Sequence, residues 1–591
     1  MESDRRLRRH EKPNLRIAIV WAGLSVLFLM LGWQRIVAGE FPDPDDALRL
    51  VQVRDLLAGQ GFWDLHQYRV DPSDGTLMHW SRLVDLPIAA LIALLTPLFG
   101  AQMAETIAIV SVPLLTLGLV LLAVGRIAWR LLGLREAIFA CLACGLLAPL
   151  VFQLQPMRID HHGWQIAMAA LALWAIAGRN AVRGGALAGI AMAAGITISL
   201  EMLPVAGAFG AVLLLRWIRD YHARWWLVAF MQSLALSLVM LFGAMRGLSD
   251  LVQHCDAVSP AHLGFFVVAA LGTGMIALVP RVPTLALLGF FASAGLAGVG
   301  FFAISSPECL QSPFGSLDPV VYDYWYRNIA EGRPLWEQDL FVALPVLAQL
   351  LVALAATLAL RARSRDWLAT WWSDYAVLLS AMILLSLAVW RSAAFASAIA
   401  AVPLGWLTVQ LLDRLRKADT TGSKLGVALA IFVILLPAGP VRLVQSMLPQ
   451  EEAPVPVRQS ECRITEQAAK LAGLPKGTIF APFDIGPAIL LESDHAVVAT
   501  SHHRAQGAMR DVIEAFTSTP DKAQRVIAAH GADYLALCTD LAEPRILAGA
   551  NPEGLMAQLL AGEVPRWLEP VDIDAPESFR LWRVKPAAMP E

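Results

Sequence analysis

Apolar residues fill long uncharged runs from residue 15 to about 445, and polar residues gather between them. A run of ~20 apolar residues is long enough to cross a bilayer core. The first run covers 17–37. Others lie at 103–125, 136–154, 163–178, 185–200, 203–216, 226–244, 262–280, 284–303, 340–360, 373–390, 394–412 and 425–445. They predict about thirteen transmembrane helices, several of them short. Residues 86–99 are apolar but hold Pro87 and Pro97, so they are expected to be interfacial or re-entrant. Past 446 the pattern changes. Residues 450–457 are proline-rich. Strand-like runs then appear at Thr478–Ala481, Ala496–Thr500, Tyr534–Cys538 and Phe579–Val584, with helical patterns near 463–473, 508–517 and 520–530. The expectation is a mostly α, polytopic membrane protein. It comprises a helical domain over 1–445, with large loops at 38–85 and 304–339, and an α/β domain over 446–591 of about 140 residues.

Composition agrees: 57% of the 591 residues are hydrophobic and 16% charged, against about 25% charged in soluble proteins. Arg5, Arg6, Arg8, Arg9, Lys12 and Arg16 surround the start of the first run, and no small-residue cleavage site follows. That run is therefore expected to be a retained span with a cytoplasmic N-terminus. Basic residues recur in alternate loops, at Arg126 and Arg130, Arg179 and Arg183, Arg216 to Arg224, Arg281, Arg361 to Arg365, and Arg414 to Lys417. With an odd span count, loop 38–85, the turn near 160, loop 304–339 and the C-terminal domain share the outer face of a bacterial-type inner membrane. Cys255 and Cys309, and Cys462 and Cys538, then sit where two disulfides can form. Cys141 and Cys144 read as packing residues. There is no glycine-rich phosphate loop, and no nucleic-acid partner is indicated.

The chemistry concentrates at Met157-Arg158-Ile159-Asp160-His161-His162-Gly163, at the mouth of an apolar span. In extended chain, Asp160 and His162 point to one side, as a pair of metal ligands needs. Asp oxygen with imidazole nitrogen suits Mn²⁺, Zn²⁺ or Mg²⁺. The same residues also read as a solvated interfacial pair, because the tripeptide has no closed ligand spacing. Loop 38–85 opens with Asp43-Pro44-Asp45-Asp46 and Arg49, and later carries His79-Trp80 and Asp85. A carboxylate cluster there offers a base or a metal ligand, or simply a solvated acidic loop.

Together these motifs resemble the catalytic subunit of oligosaccharyltransferase, a GT-C fold membrane glycosyltransferase family. Its first-loop pattern is an acid, then Pro, three residues, a hydrophobic residue and Arg, matched from Asp43 to Arg49. Its second-loop motif is matched by Asp160-His161-His162, and His79-Trp80 with Asp85 is similar to the archaeal members. The resemblance implies a metal shell of Asp43, Asp160 and His162 holding Mn²⁺ or Mg²⁺. Asp43 would also orient or deprotonate the acceptor, with Asp45 and Asp46 as rivals for that role. It implies a catalytic Glu331 on a mobile loop before Pro334, and Arg391 on the phosphate of a polyprenyl carrier, with Arg158 able to join it. The family's Trp-Trp-Asp acceptor motif is replaced by Pro482-Phe483-Asp484-Ile485-Gly486, which keeps Asp and Gly and loses both Trp. Asp484 and His79 are the expected acceptor contacts, although Asp484 to Pro487 also reads as a tight turn. The implied donor is a polyprenyl-(pyro)phosphate-linked sugar, and the acceptor a protein or glycan. Two alternatives stay open: a transporter or flippase, with Glu201 as its best feature, and a homologue that binds lipid-linked sugar without turnover.

Overall fold

The computed structural model describes residues 11–73, 75–310, 317–447 and 460–585. The basic run Arg5 to Arg9 and the proline-rich 450–457 lie outside the described residues. Eleven described helices are long and apolar enough to cross a membrane, or up to thirteen if each of two bent pairs is one span. The protein is therefore multi-pass. The first bent pair, Leu134–Cys144 and Ala148–Leu154, turns by 71° ahead of Pro149, and the second, Thr421–Leu435 and Ala438–Met447, turns by 91° at Pro437. Proline removes a ladder donor and clashes with the preceding turn, which breaks each run.

Two expectations change. Residues Arg82–Phe99 form an unbroken helix, capped by the Ser81 hydroxyl accepting from Leu83 N–H, and so reach candidate-span length. Conversely, the run expected at 163–178 forms the helix His162–Ile176 of only 15 residues. Elsewhere the bundle packs through small residues. A Cβ on Gly189 would lie 2.3 Å from Phe230 O, and one on Gly185 would lie 2.3 Å from Trp226 O. This Gly-x-x-x-Gly face lets Ala181–Ile198 and Arg224–Met245 approach backbone to backbone.

Loop 38–85 contributes a helix, Pro44–Leu57, and a hairpin of β1 (His66–Gln67) and β2 (Thr76–Leu77). The C-terminal residues build a five-stranded sheet in the order β4-β3-β5-β7-β6. These are β3 (Thr478–Phe480), β4 (Ala496–Val497), β5 (Tyr534–Cys538), β6 (Leu568–Pro570) and β7 (Phe579–Val584). β3 is parallel to β4 and β5, and β7 is antiparallel to β5 and β6. The edge strand β4 is covered, because Val497 N–H donates to Arg69 O at 2.8 Å and Asp71 N–H donates to Val497 O at 3.0 Å. Pairing the edge with the first loop hides its free backbone groups. One apolar cluster joins Leu48, Val51, Met78 and Trp80 of that loop to Phe480, Ile489 and Val497 of the sheet region. Cys255–Cys309 and Cys462–Cys538 are both disulfide-bonded, while Cys141 and Cys144 are buried thiols.

Candidate active site

The site is set by a turn at the head of the helix His162–Ile176. Met157 adopts a positive φ of 67°, and its N–H is held by Ile109 O at 3.1 Å. Gly163 completes the turn, since a Cβ there would meet Gln153 O at 3.0 Å. The chain is helical already at His161. The extended Asp160/His162 pairing expected from sequence is therefore replaced by a turn that folds both imidazoles onto one carboxylate. His161 Nδ1 meets Asp160 Oδ1, and His162 Nδ1 lies 2.7 Å from Asp160 Oδ2. The rings stack with centroids 4.1 Å apart. The three residues offer ligand atoms within 4.8 Å of one another, and all are buried. His162 Nε2 is buried with no hydrogen-bond partner, an orphaned donor atom of the kind a cation takes up.

Around this turn the first loop supplies alternating charge. Asp43 caps the helix Pro44–Leu57 by accepting from Asp45 N–H, with Pro44 at the first helical position. Asp46 is fully buried. It accepts from Asp160 N–H at 2.8 Å and from Arg158 Nη1 at 2.9 Å. Burial pushes the Asp46 carboxyl up to about 7, against the pull of Arg158. Burial acts to raise Asp160 too, but the two imidazoles outweigh it and hold this carboxyl well below its ordinary value. Arg49 is enclosed, 2.7 Å from Asp85 Oδ1, 3.5 Å from Asp160 Oδ1 and stacked on Trp80.

Arg158 differs from expectation. It is buried and faces Asp43 at 3.3 Å, Asp46 at 2.9 Å and Asp160 at 3.8 Å. Three carboxylates occupy the fork that a lipid phosphate would need. Arg391 is better placed: it pairs with Glu201 at 2.9 Å and with Glu331 at 3.5 Å. Glu201 in turn lies 3.9 Å from His162 Nε2. Sequence reasoning gave Glu201 to transport. Its signal was a lone carboxylate between two apolar runs, but its partner is 190 positions away. A cavity of about 650 Å³ opens on Arg391 and Glu331, walled by Phe152, Phe341, Val346 and Leu436.

Asp484 sits in a short turn after β3 and faces Asp43. Burial, then the Asp43 charge, pushes it up to about 6. Glu543, unforeseen from sequence, accepts from the N–H groups of Phe483 at 2.8 Å and Asp484 at 3.1 Å. Burial, then Asp484, holds it well above the usual range. A carboxyl raised in the fold stabilises fully below its unfolded value, ~4, and loses that stabilisation as pH rises through about 6. The thermal midpoint of the sheet region is expected to fall between pH 5 and pH 8, and to fall less in Asp484→Asn. An equal fall in both, followed by tryptophan fluorescence, contradicts this. His79 does not join the Asp160 cluster. Its Nδ1 lies 2.8 Å from His502 Nε2.

The helical bundle and its C-terminal α/β region have the GT-C type of membrane fold, by likeness to solved structures. The chain shares this fold with the archaeal oligosaccharyltransferase AglB from Archaeoglobus fulgidus. The match to its structure tethered to an acceptor peptide with the NVT sequon has a TM-score of 0.64 at 14% identity, over 97% of this chain and 76% of that one. Its complex with an inhibitory peptide and a dolichol-phosphate matches at 0.63 and 14% identity, over 96% and 76%. Its complex with Zn and sulfate matches at 0.59 and 14% identity, over 92% and 70%. ArnT from Cupriavidus metallidurans bound to undecaprenyl phosphate aligns at only 0.46 and 14% identity, over 95% and 98%, too distant to build on. No family model and no curated protein matches the sequence.

Proposed function

We propose that this chain is a membrane glycosyltransferase. It moves a sugar or glycan from a polyprenyl-phosphate or -pyrophosphate carrier to an acceptor at the bundle end that carries the sheet region. The observation that carries this reading is the juxtaposition of the apolar cavity ending on Arg391 with the buried Asp160-His162 turn, bridged by Glu201. A largely apolar channel lined by two cations, Arg391 and Arg442, suits a lipid tail with a phosphate head. AglB, which shares the fold, holds a dolichol-phosphate in one structure and Zn in another.

Asp160 and His162, with Asp43, would hold Mn²⁺ or Mg²⁺, which would stabilise the phosphate charge set free as the sugar departs. The orphaned His162 Nε2 and the anionic Asp160 fit that group. Asp43, more exposed than Asp46, orients the acceptor and takes its proton. Asp46 holds the turn at 160 through its N–H, and Arg158 balances the three carboxylates. Glu331 rests on Arg391 until a phosphate displaces it toward the metal-holding residues. Asp484, with Pro482-Phe483 in place of the paired tryptophans, meets an acceptor other than a hydroxyl-residue sequon. The chain is placed in a bacterial-type inner membrane with a cytoplasmic N-terminus, its helical domain over 1–445 and an outer α/β domain over 446–591.

The test is release of polyprenyl phosphate or pyrophosphate from sugar-linked donors by purified protein, with and without EDTA. Metal-dependent release supports the reading. No release from any donor, while polyprenyl phosphate still binds, favours a binding-only homologue. Glu201→Gln supplies a second check. Removing one carboxylate from Arg391 is expected to tighten polyprenyl phosphate binding about fivefold, the scale of one partly exposed ion pair. Unchanged or weaker binding in a lipid titration contradicts the assignment of Arg391 to the phosphate.

A further inference from the structure

We infer that His79, Asp256 and His503 form a second transition-metal site, separate from the Asp160 turn, that ties three distant chain segments together. The three residues come from the first long loop, from the loop before the helix Pro260–Leu278, and from the turn after β4. They offer ligand atoms within 4.8 Å of one another. His503 Nε2 already lies 2.7 Å from Asp256 Oδ2. Asp256 is fixed by its neighbour Cys255, which is bonded to Cys309.

The surroundings have the form that a metal ligand set needs. His502 is 2% exposed, and its Nε2 lies 2.8 Å from His79 Nδ1. That contact fixes the tautomer and ring plane of His79, as partners of metal-ligating histidines do. His502 Nδ1 is buried without a partner. Arg504 grips Asp256 from the far side, with Nη2 2.7 Å from Oδ1 and Nε 2.8 Å from Oδ2, and so orients the carboxylate. Three imidazoles crowd together here, with ring centroids 4.8 to 5.2 Å apart. Arg504 already balances the single carboxylate, so an ion pair alone does not account for the gathered rings. Two imidazoles and one carboxylate suit Zn²⁺ or Co²⁺ and disfavour Mg²⁺. His79 is then a structural ligand rather than an acceptor contact.

The test is Co²⁺ titration of the full-length, EDTA-stripped protein in detergent, read by visible d–d absorption. The titration is made in a His162→Ala background, which removes a ligand of the Asp160 turn, and a saturable band is expected there that is lost when His503→Ala or His79→Ala is added. No band in His162→Ala, or a band kept in both double variants, overturns the site. Should those variants aggregate, diethylpyrocarbonate labelling of the wild type reads the same ligands. Zn²⁺ is expected to protect His79 and His503, and equal labelling with and without Zn²⁺ overturns the proposal.

Discussion

Asp160→Ala is expected to abolish specific Mn²⁺ binding and to lower sugar transfer by about 100- to 1000-fold, the range seen when one charge-stabilising group is removed from a reacting centre. Asp160 is the one carboxylate that meets both His161 and His162 and also neighbours Arg49 and Arg158. Its loss removes one of several carboxylates around the buried Arg49 and Arg158, which keep Asp85, Asp43 and Asp46, so the cost is expected to stay below the roughly 3–5 kcal/mol of a fully broken buried pair. Loss of activity alone would therefore not separate chemistry from folding. His162→Ala makes the separation. His162→Ala gives up one contact to Asp160, at 2.7 Å, and leaves His161, Arg49 and Arg158 around that carboxylate, so this variant should keep a cooperative thermal transition and still fail to bind Mn²⁺. A folded His162→Ala protein with wild-type Mn²⁺ resonance would remove His162 from the metal shell.

Arg391→Ala is the second large effect. Binding of polyprenyl phosphate should weaken by about 100-fold, within the roughly 2–5 kcal/mol lost when one partner of an enclosed charge pair is removed. Arg391→Lys should recover part of it, since Lys keeps the charge but not the fork that takes two phosphate oxygens. The Ala variant also leaves Glu201 and Glu331 without the guanidinium they share. Adding Glu201→Gln should restore its thermal midpoint but not its lipid affinity. Recovery of affinity in the double variant, by fluorescent-lipid titration, would show that Arg391 acts on the carboxylates and not on phosphate.

The helices and the central strands were legible because each is a local pattern. β5 and β7 match the expected runs residue for residue. β5 is a fully buried apolar stretch, and β7 carries a dense aromatic and branched pattern. β6 was missed because it is three residues long and ends on Pro570. In the site, the Asp43-Pro44 pair is itself a helix-start signature, and it explains why Asp43 caps a helix while Asp46 points inward to Arg158. The turn at 160 was misjudged as extended because nothing local announces that the helix begins at His162. The Glu201–Arg391 pair and the His79–Asp256–His503 group were not legible at all. Hydrophobic periodicity reports which face of a helix is buried, not which distant charge it meets.

The most direct measurement is electron–nuclear double resonance on Mn²⁺-loaded protein with polyprenyl phosphate bound. A metal held by Asp160 and His162 beside a phosphate drawn in by Arg391 predicts a resolved ³¹P coupling in the wild type, lost in Arg391→Ala. Saturating Mn²⁺ and lipid together with no ³¹P coupling would contradict the account, because it would place the two ligands in separate sites.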